Sequence, residues 1–349
     1  MPSTTGPARP RRRSGVALAT RATEPALVDY SPSAEQTYRF CQKKAYFGWL
    51  TRKKQGWRKP EEHPWRRAYE LKQLQHRAAW AGDLYHQLVA HALRATQAGR
   101  PIDQTTLRDL ARQLAAVQFA FSASGAYRGA TKSKVADYRG MPTFLALFDH
   151  AYGLPTDGLL EATQDRLDGW LAKTFAWDGW PALLRQVRRA GAAHIEPEGL
   201  VYALAGARLR ARMDVGIEPG DGTFRVYDWK CYGAPERSAA SGRGVQRQLL
   251  AYALWPVLRP TRPLDLAAVT ATVFNPVSGE EETVHFTEED RAAFALEVGR
   301  WADLQPRLFP TIADVDFDDL AGPRDPARSC PHCPFKAVCG EEIAWHDLT

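Results

Sequence analysis

The chain has 349 residues, of which 44% are hydrophobic and 25% are charged, with a net charge of +6. These proportions are those of a globular protein with a packed core, which excludes collagen, coiled coil and wholesale disorder. No apolar run approaches the roughly 18–20 residues of a membrane span, and the mild basic excess fits an anionic partner such as nucleic acid without proving one.

The N-terminal half is predicted to be helical after a tail. Residues 1–28 are rich in Pro, Thr, Ala and Arg and have no periodicity, which predicts a disordered basic tail before one domain over residues 29–349. Ser31 or Ser33 can cap the first helix. The predicted helices cover residues 34–50, 61–99, 104–121 and 141–193, the last with breaks near residues 153–155 and 180–181.

The pattern changes at Glu196 from helical spacing to the alternation that is typical of strands. The run from Pro219 to Gly222 is a strong turn signal. Strands are predicted over residues 200–209, 210–217, 223–230, 266–275 and 283–286, with helices over 241–258 and 287–308. The order therefore predicts an α/β fold with helices, a three-strand meander, a helix, two more strands and a final helix.

Two acids and a lysine lie on the strands that flank this turn. Asp214 falls near the end of one strand, and Asp228 and Lys230 fall on the next. An antiparallel pair joined by a tight turn can bring such side chains to one face, which residues two apart on a strand share. Two carboxylates attract a hard divalent cation such as Mg²⁺ or Mn²⁺, and the lysine can offset charge on a phosphate. Surface acids beside a turn are the alternative interpretation of Asp-x-Lys taken alone.

Three more side chains can complete such a site. His86 lies four residues after Gly82 on a predicted helix, and a neutral imidazole is a good metal ligand. Gln248 and Tyr252 are four residues apart, so both lie on one helix face. Each of these features taken alone is also typical of an ordinary helix. They indicate a metal site only because they occur together with the two acids and the lysine.

Taken together, these residues resemble the RecB-like branch of the PD-(D/E)XK nuclease superfamily. That family has Gly-x-x-x-His on a helix, a strand ending in Asp, Asp/Glu-x-Lys on the next strand and Gln-x-x-x-Tyr on a helix. The same elements occur here in the same order. The resemblance implies a restriction-endonuclease-like core, a mixed central sheet flanked by helices. It also implies metal ligation by His86, Asp214 and Asp228, catalysis by Lys230 together with the two acids, and supporting roles for Gln248 and Tyr252.

The sequence departs from the family pattern at two positions, neither of which removes a ligand. Ala211 stands where the family commonly has glycine, and Cys231 stands where threonine often follows the lysine. The long stretch before the strands predicts a helical insertion over residues 87–195, followed by the catalytic sheet and helix over residues 196–290. Glu196, at the entry to the first strand, is a weaker candidate for the edge of the site.

Five cysteines occur without the apolar N-terminal segment of a secretory signal, which predicts a reducing, cytoplasmic location. Three of them, Cys330, Cys333 and Cys339, form a C-x2-C-x5-C run that can surround a metal with one position left open. Cys41 can fill that position. Four thiolates suit either a [4Fe–4S] cluster or structural Zn²⁺, and the spacing alone does not choose between them.

The family resemblance favours the cluster. Iron–sulfur nucleases of the RecB-like group, CRISPR-associated and AddB-type enzymes among them, carry one cysteine before the nuclease core and three after it, and this chain has the same division. The resemblance thus implies that residues 325–345 and Cys41 form an iron–sulfur staple. Closing so long a loop lowers the conformational entropy of the denatured state, which stabilises the folded state by on the order of several kcal/mol.

A basic run with interleaved aromatic residues follows Cys41. Cations next to aromatic rings are typical of a phosphate track with base stacking, whereas a solvated helix face with its rings in the core is the alternative, favoured for Phe47. The predicted nucleic-acid contacts are Lys43, Lys44, Arg52, Lys53 and Lys54, and the accompanying rings are Tyr46, Phe47, Trp49 and Trp57. Arg208, Arg210 and Arg212 alternate along a strand and can face either the substrate or solvent.

These features predict a metal-dependent DNA nuclease that acts on single-stranded DNA or DNA ends, with exonuclease action implied by the resemblance. The resemblance places it in DNA repair, CRISPR spacer handling or antiviral defence, with a helicase or other protein as partner and no membrane. A non-catalytic nucleic-acid-binding subunit that retains the nuclease fold is the alternative, and a zinc-bound DNA-binding protein is a third reading.

Overall fold

The computed structural model describes residues 27–53, 56–60, 62–189, 191–231, 239–308 and 317–339. The predicted tail lies outside this part of the chain except for its last two residues, the second of which begins a strand. Eleven α-helices occur in the described residues: α1 Pro32–Phe40, α2 Gln42–Lys53, α3 Pro64–Lys72, α4 Arg77–Gln97, α5 Gln104–Ala123, α6 Phe148–Ala151, α7 Leu159–Ala176, α8 Gly179–Arg189, α9 Ala239–Leu258, α10 Glu288–Leu308 and α11 Pro326–Ser329.

Two of the long predicted helices are each divided in two. The helix predicted over residues 34–50 is interrupted at Cys41, whose extended backbone (φ −158°, ψ 110°) separates α1 from α2. The helix predicted over residues 61–99 is interrupted between α3 and α4, where Gln75 pairs with Leu147 as an isolated β-bridge. Hydrogen bonds to distant segments replace the helical ones at both breaks, which local periodicity cannot indicate.

The segment over residues 141–193 also differs from its prediction. Residues 141–147 are not helical, and α8 continues through Pro181 because this proline lies in the first turn, where no intrahelical N–H bond is needed. Residues 192–195 form a strand, although the predicted helix extended through residue 193. The sheet therefore begins earlier than the predicted change of pattern at Glu196.

The described residues form eight strands in two sheets. The strands are β1 Val28–Tyr30, β2 Ala192–Ile195, β3 Leu200–Leu204, β4 Ala207–Ala211, β5 Val215–Glu218, β6 Phe224–Trp229, β7 Val269–Asn275 and β8 Glu280–His285. A small sheet has the order β1-β4-β3, and the main sheet has the order β2-β5-β6-β7-β8. The main sheet is mixed, since β6 and β7 run parallel and its other neighbours antiparallel. The prediction of a mixed α/β fold is therefore confirmed.

The strand predicted over residues 200–209 is in fact a hairpin. Ala205 and Gly206 both have positive φ, 46° and 79°, as the two central residues of a tight β3–β4 turn require. The strand predicted over residues 210–217 is also divided, because β4 ends at Ala211 and β5 begins at Val215 in the other sheet. The chain passes from one sheet to the other at the residues next to Asp214.

Helices cover both faces of the main sheet. Successive side chains of β6 point alternately to the two faces and pack against different helices. Tyr227 and Trp229 pack in a first core with α4, α5, α7 and α8, whereas Phe224 and Val226 pack in a second core with α9 and α10. Asp228 has the same parity as Phe224 and Val226, so its side chain lies on the α9 face of the sheet. In the described residues, no helix is both long and apolar enough to cross a membrane.

A network of ion pairs joins the second core to the N-terminal elements. Glu35 of α1 is 2% exposed. Its Oε2 accepts hydrogen bonds from the Tyr30 hydroxyl at 2.8 Å and from Arg247 Nη2 at 2.6 Å. Its Oε1 accepts from Arg39 Nε at 2.8 Å. Arg247 Nε also lies 2.7 Å from Glu297 Oε2. The network thereby ties β1 and α1 to α9 and α10.

Candidate functional site

Two acidic side chains face each other where β5 begins and β6 ends. The register pairs Val215 with Tyr227, and one further step places Asp214 opposite Asp228. Asp214 Oδ2 accepts a hydrogen bond from the Trp229 N–H at 2.7 Å, which fixes this carboxylate against β6. The structure thus brings together the two acids that the hairpin pattern predicts.

His86 reaches the same end of the sheet from the middle of α4. Its Nδ1 lies 3.0 Å from Asp214 Oδ1. Burial acts to lower the pKa of His86, but the Asp214 carboxylate and the Cys231 thiol outweigh it and raise this pKa well above its ordinary value. The contact thus ties α4 to the carboxylate that begins β5.

Lys230 directly follows β6, and its ammonium is held between two side chains. Lys230 Nζ lies 2.6 Å from Asp228 Oδ2 and donates a hydrogen bond to Gln248 Oε1 at 3.0 Å. Gln248 Nε2 donates in turn to the hydroxyl of Tyr252, one turn along α9. This relay from β6 to α9 fixes the position of the ammonium group.

The Asp228 carboxylate is the most deeply buried group of the site, with 2% of its surface exposed. Burial raises the pKa of Asp228 to about 6, while Lys230 opposes the rise and Asp214 adds to it. The Lys230 ammonium, 2.6 Å from Asp228 Oδ2, partly compensates the buried charge. A carboxylate buried this deeply is costly unless cations or hydrogen-bond donors meet it.

Glu196 lies at the edge of this site, where the sequence indicated it only weakly. Its N–H donates to the Asp214 carbonyl oxygen at 2.8 Å, and Arg94 of α4 donates to its Oε2 at 3.0 Å. Burial raises the pKa of Glu196, with Arg94 opposing and Asp214 adding to the rise. Its φ of 42° is rare for a residue other than glycine. The fold thus holds a third carboxylate here in a strained backbone conformation.

Cys231, at the position of the threonine that often follows the lysine in the family, is a further neighbour of the site. Burial raises the pKa of the Cys231 thiol, while a hydrogen bond with His86 opposes the rise. A Cβ built on Gly82 would lie 3.9 Å from the Cβ of Cys231, so α4 passes in van der Waals contact with the residue after Lys230. The distance between the two residues depends on how α4 crosses the end of β6.

The four cysteines of the predicted staple lie in one region. Cys41 is buried, and its Sγ accepts a hydrogen bond from the Lys44 N–H at 3.4 Å. Burial raises the pKa of both Cys333 and Cys339, and the thiols of Cys41 and Cys330 contribute to each rise. The thiols are therefore close enough to influence one another, although the chain after residue 339 lies outside the described part.

No group of three or more His, Cys, Asp or Glu side chains within the described ranges is arranged so that it could hold a metal ion as it stands. The predicted iron–sulfur staple is therefore not confirmed. The chemistry of the acid–lysine site nevertheless fits a hard divalent cation, because the carboxylates of Asp214 and Asp228 and the imidazole of His86 lie together there.

The predicted nucleic-acid contacts after Cys41 are only partly described. Lys43 Nζ lies 3.7 Å from Asp318 Oδ1, so its charge already has a partner. Lys44 is half-buried beside the cysteines. The side chains of Arg52 and Lys53, and Lys54 as a whole, lie outside the described residues.

The aromatic rings next to these cations are core residues. Tyr46 and Phe47 are fully buried and Trp49 is 7% exposed. Phe47 stacks on Phe335 of the C-terminal segment, with ring centroids 4.9 Å apart. The prediction of base stacking is wrong for Tyr46 and Trp49, whereas the core position favoured for Phe47 is confirmed.

Comparison with known proteins identifies one family. A family model described as the PD-(D/E)XK nuclease superfamily matches residues 29–340, which include every residue of the acid–lysine site. No curated protein matches the chain.

Proposed function

The chain belongs to the PD-(D/E)XK nuclease superfamily, and we propose that it is a metal-dependent DNA nuclease that hydrolyses phosphodiester bonds. One observation carries the proposal: the hairpin register sets Asp214 opposite Asp228, with Lys230 Nζ 2.6 Å from the Asp228 carboxylate. Burying two acids and an ammonium is a costly way to stabilise a sheet, whereas phosphodiester hydrolysis needs these groups together.

We assign the divalent cation, Mg²⁺ or Mn²⁺, to His86, Asp214 and Asp228. When bound, such a cation polarises the phosphodiester and makes an attacking water easier to ionise. The two carboxylates provide its charge complement and hard oxygen donors, and the imidazole nitrogen completes a set from α4, β5 and β6. Asp214 is held in place by the Trp229 N–H, so one of its oxygens is already oriented by the backbone.

Lys230 acts on the substrate in this proposal. Its ammonium, fixed 3.0 Å from Gln248 Oε1, stabilises the negative charge that develops on the phosphate and helps to position the attacking water. Gln248 and Tyr252 are positioning residues. Burial raises the pKa of Tyr252, so its hydroxyl stays protonated and keeps the Gln248 amide in one orientation.

We further propose that the substrate is single-stranded DNA or a DNA end and that digestion is exonucleolytic. These finer assignments rest on the resemblance to the RecB-like branch, as do a role in repair, CRISPR spacer handling or defence and a helicase or other protein partner.

The test is cleavage of end-labelled single-stranded DNA by the purified full-length chain. We expect Mn²⁺ or Mg²⁺ to support cleavage, and Ca²⁺ or EDTA to abolish it, because the reaction depends on a small cation that activates water. A circular single strand serves as the control for exonuclease action, since it has no ends.

Binding of the labelled strand without cleavage in any of these metals would overturn the nuclease proposal. It would favour the alternative of a non-catalytic nucleic-acid-binding subunit. Cleavage that persists unchanged in EDTA would contradict the metal assignment while leaving nuclease activity in place.

We also propose a metal centre at Cys41, Cys330, Cys333 and Cys339, a [4Fe–4S] cluster with Zn²⁺ as the alternative. The contribution of the neighbouring thiols to the raised pKa values of Cys333 and Cys339 supports it, since four thiols in one region suit a soft or borderline metal. Anaerobically purified protein is expected to contain iron and acid-labile sulfide and to lose both in Cys333→Ser, with Cys231→Ser as the matched control. Zinc without sulfide would select the alternative, and neither metal would contradict the centre.

A further inference from the structure

Strand β4 carries two arginines and a third directly follows it, and all three side chains point away from the core. Arg208, Arg210 and Arg212 are exposed, whereas the intervening Leu209 and Ala211 are buried in the second core. Side chains two residues apart on a strand share a face and lie roughly 6.6–6.8 Å apart. The three cations therefore form a line, which ends two residues before Asp214.

The three arginines differ in their partners. Arg208 lies opposite Asp29 of the parallel neighbour β1, and its Nη2 is 2.7 Å from the Asp29 carboxylate. Arg210 lies opposite Val201 of β3, which is uncharged and 39% exposed. Within the described residues, neither Arg210 nor Arg212 forms an ion pair, so this end of the line offers positive charge to solvent.

Arg212 also lies close to the acid–lysine site. Burial raises the pKa of Tyr252, and the Arg212 guanidinium is among the groups that oppose this rise. It is therefore within electrostatic reach of the Tyr252 hydroxyl, which bonds to the amide that holds Lys230. The uncompensated end of the arginine line is thus the end next to the proposed reaction centre.

We propose that Arg210 and Arg212 bind the phosphodiester backbone of the DNA strand on one side of the cleaved bond. This inference rests on the proposed function and specifies how the substrate enters the site. A guanidinium presents a planar fork of donors that matches phosphate oxygens. Arg212 and Arg210 are exposed and can each bind one of the first two phosphates next to the site. Arg208 is already paired with Asp29, so it does not bind the third phosphate.

The test is binding of a fluorescein-labelled oligothymidylate to the full-length chain, followed by anisotropy over a series of salt concentrations. Ca²⁺ replaces the catalytic cation so that the strand stays intact. The variants are R210Q, R212Q and their double, and R208Q is the matched control on the same strand and face. The double variant R210K/R212K keeps both positive charges. It therefore shows whether weaker binding of the glutamine variants comes from lost charge or from altered folding.

Each substitution by glutamine is expected to weaken binding roughly tenfold at low salt. The double variant is expected to lower the slope of log K against log salt by about 1.4, because each phosphate contact to a single strand contributes about 0.7. R208Q is expected to keep the wild-type affinity and salt slope. R210K/R212K is expected to keep most of the affinity and most of the slope.

Wild-type affinity and slope in R210Q/R212Q would overturn this inference, and cleavage by the same variant would leave the nuclease proposal standing. An effect of R208Q as large as that of R212Q would also overturn it, since the attraction would then be diffuse. A wild-type chain that binds no strand at all would overturn both the inference and the proposed function.

Discussion

Replacement of Lys230 by alanine is expected to slow cleavage of single-stranded DNA by roughly a thousandfold, the effect of removing one preorganised group that stabilises transition-state charge. The ammonium sits 2.6 Å from Asp228 and 3.0 Å from Gln248, so no flexible cation replaces it at the same place. Single-turnover cleavage in Mn²⁺ measures the effect on the chemical step.

Asp228→Asn is expected to have an effect of the same size for a different reason. The amide keeps the volume of the buried side chain but removes the negative charge that we assign to the divalent cation. Mn²⁺ binding, measured by calorimetry, is therefore expected to weaken in Asp228→Asn and to change much less in Lys230→Ala. This difference separates a ligand from a residue that acts on the substrate.

Asp221→Asn is the matched control, because Asp221 lies exposed on the same β-hairpin at the turn, where its carboxylate accepts a hydrogen bond from the Thr223 N–H at 3.0 Å. It is expected to retain full activity. The folded state is expected to tolerate Lys230→Ala, since the raised pKa of Asp228 lets the carboxyl take up a proton when its cation is removed. Wild-type rates in Lys230→Ala and Asp228→Asn would contradict the site assignment.

Replacement of Glu35 by glutamine is expected to lower the free energy of unfolding by about 3 kcal/mol at pH 7, the cost of breaking a buried ion pair from one side. The change leaves Tyr30 and Arg247 without the charge that both of them contact, at 2.8 and 2.6 Å. Arg247 keeps its contact with Glu297, which limits the loss. Urea unfolding measures the difference, and Glu282→Gln on the exposed strand β8 is the control, expected to change the free energy by less than about 0.5 kcal/mol.

The stabilisation by Glu35 is expected to depend on pH in a defined direction. Burial acts to raise the pKa of Glu35, but hydrogen bonds from Arg39 and Tyr30 and the charge of Arg247 hold it below its ordinary value. A depressed folded-state pKa gives stability that is fully present above the unfolded value, about 4.3, and is lost as the pH falls through the folded value. The difference between wild type and Glu35→Gln should thus shrink below about pH 4.3, and a constant difference from pH 7 to pH 3 would contradict this account.

The hairpin that carries the acids was predictable because its signals are local. The Pro-Gly-Asp-Gly turn sets the register of β5 and β6, and strand periodicity then puts Asp214 and Asp228 opposite each other. Lys230 follows at a distance of two residues, on the same face. Superfamily membership, which the family match confirms, follows from the order of these motifs.

The breaks in the helices were not predictable, because distant residues cause them. Cys41 is extended, and the next residue, Gln42, donates its N–H to the Ala321 carbonyl oxygen at 2.9 Å. Tyr46 resembled a stacking platform because it lies among cations, and its burial depends on Phe317 of the C-terminal segment. Local periodicity shows which residues are apolar but not which part of the chain covers them.

The edge of the site was hidden for a related reason. Glu196 comes next to Asp214 through the pairing of β2 with β5, and Cys231 comes next to His86 through the packing of α4 against the end of β6. Glu196 had one weak signal, its position at the entry to the first predicted strand. Contacts made between elements rather than within them need the three-dimensional arrangement.

The pairing of the two chain ends has a consequence for the order of folding. Ala321 donates its N–H to the Gln42 side chain across 279 positions, and His76 bonds to the His332 carbonyl oxygen across 256. Loops of this size close late and slowly. On the ribosome, α2 and the start of α4 must therefore wait, with Tyr46 and Phe47 uncovered, until almost the entire polypeptide has emerged. A nascent chain arrested before residue 317 is accordingly a good substrate for chaperones and proteases.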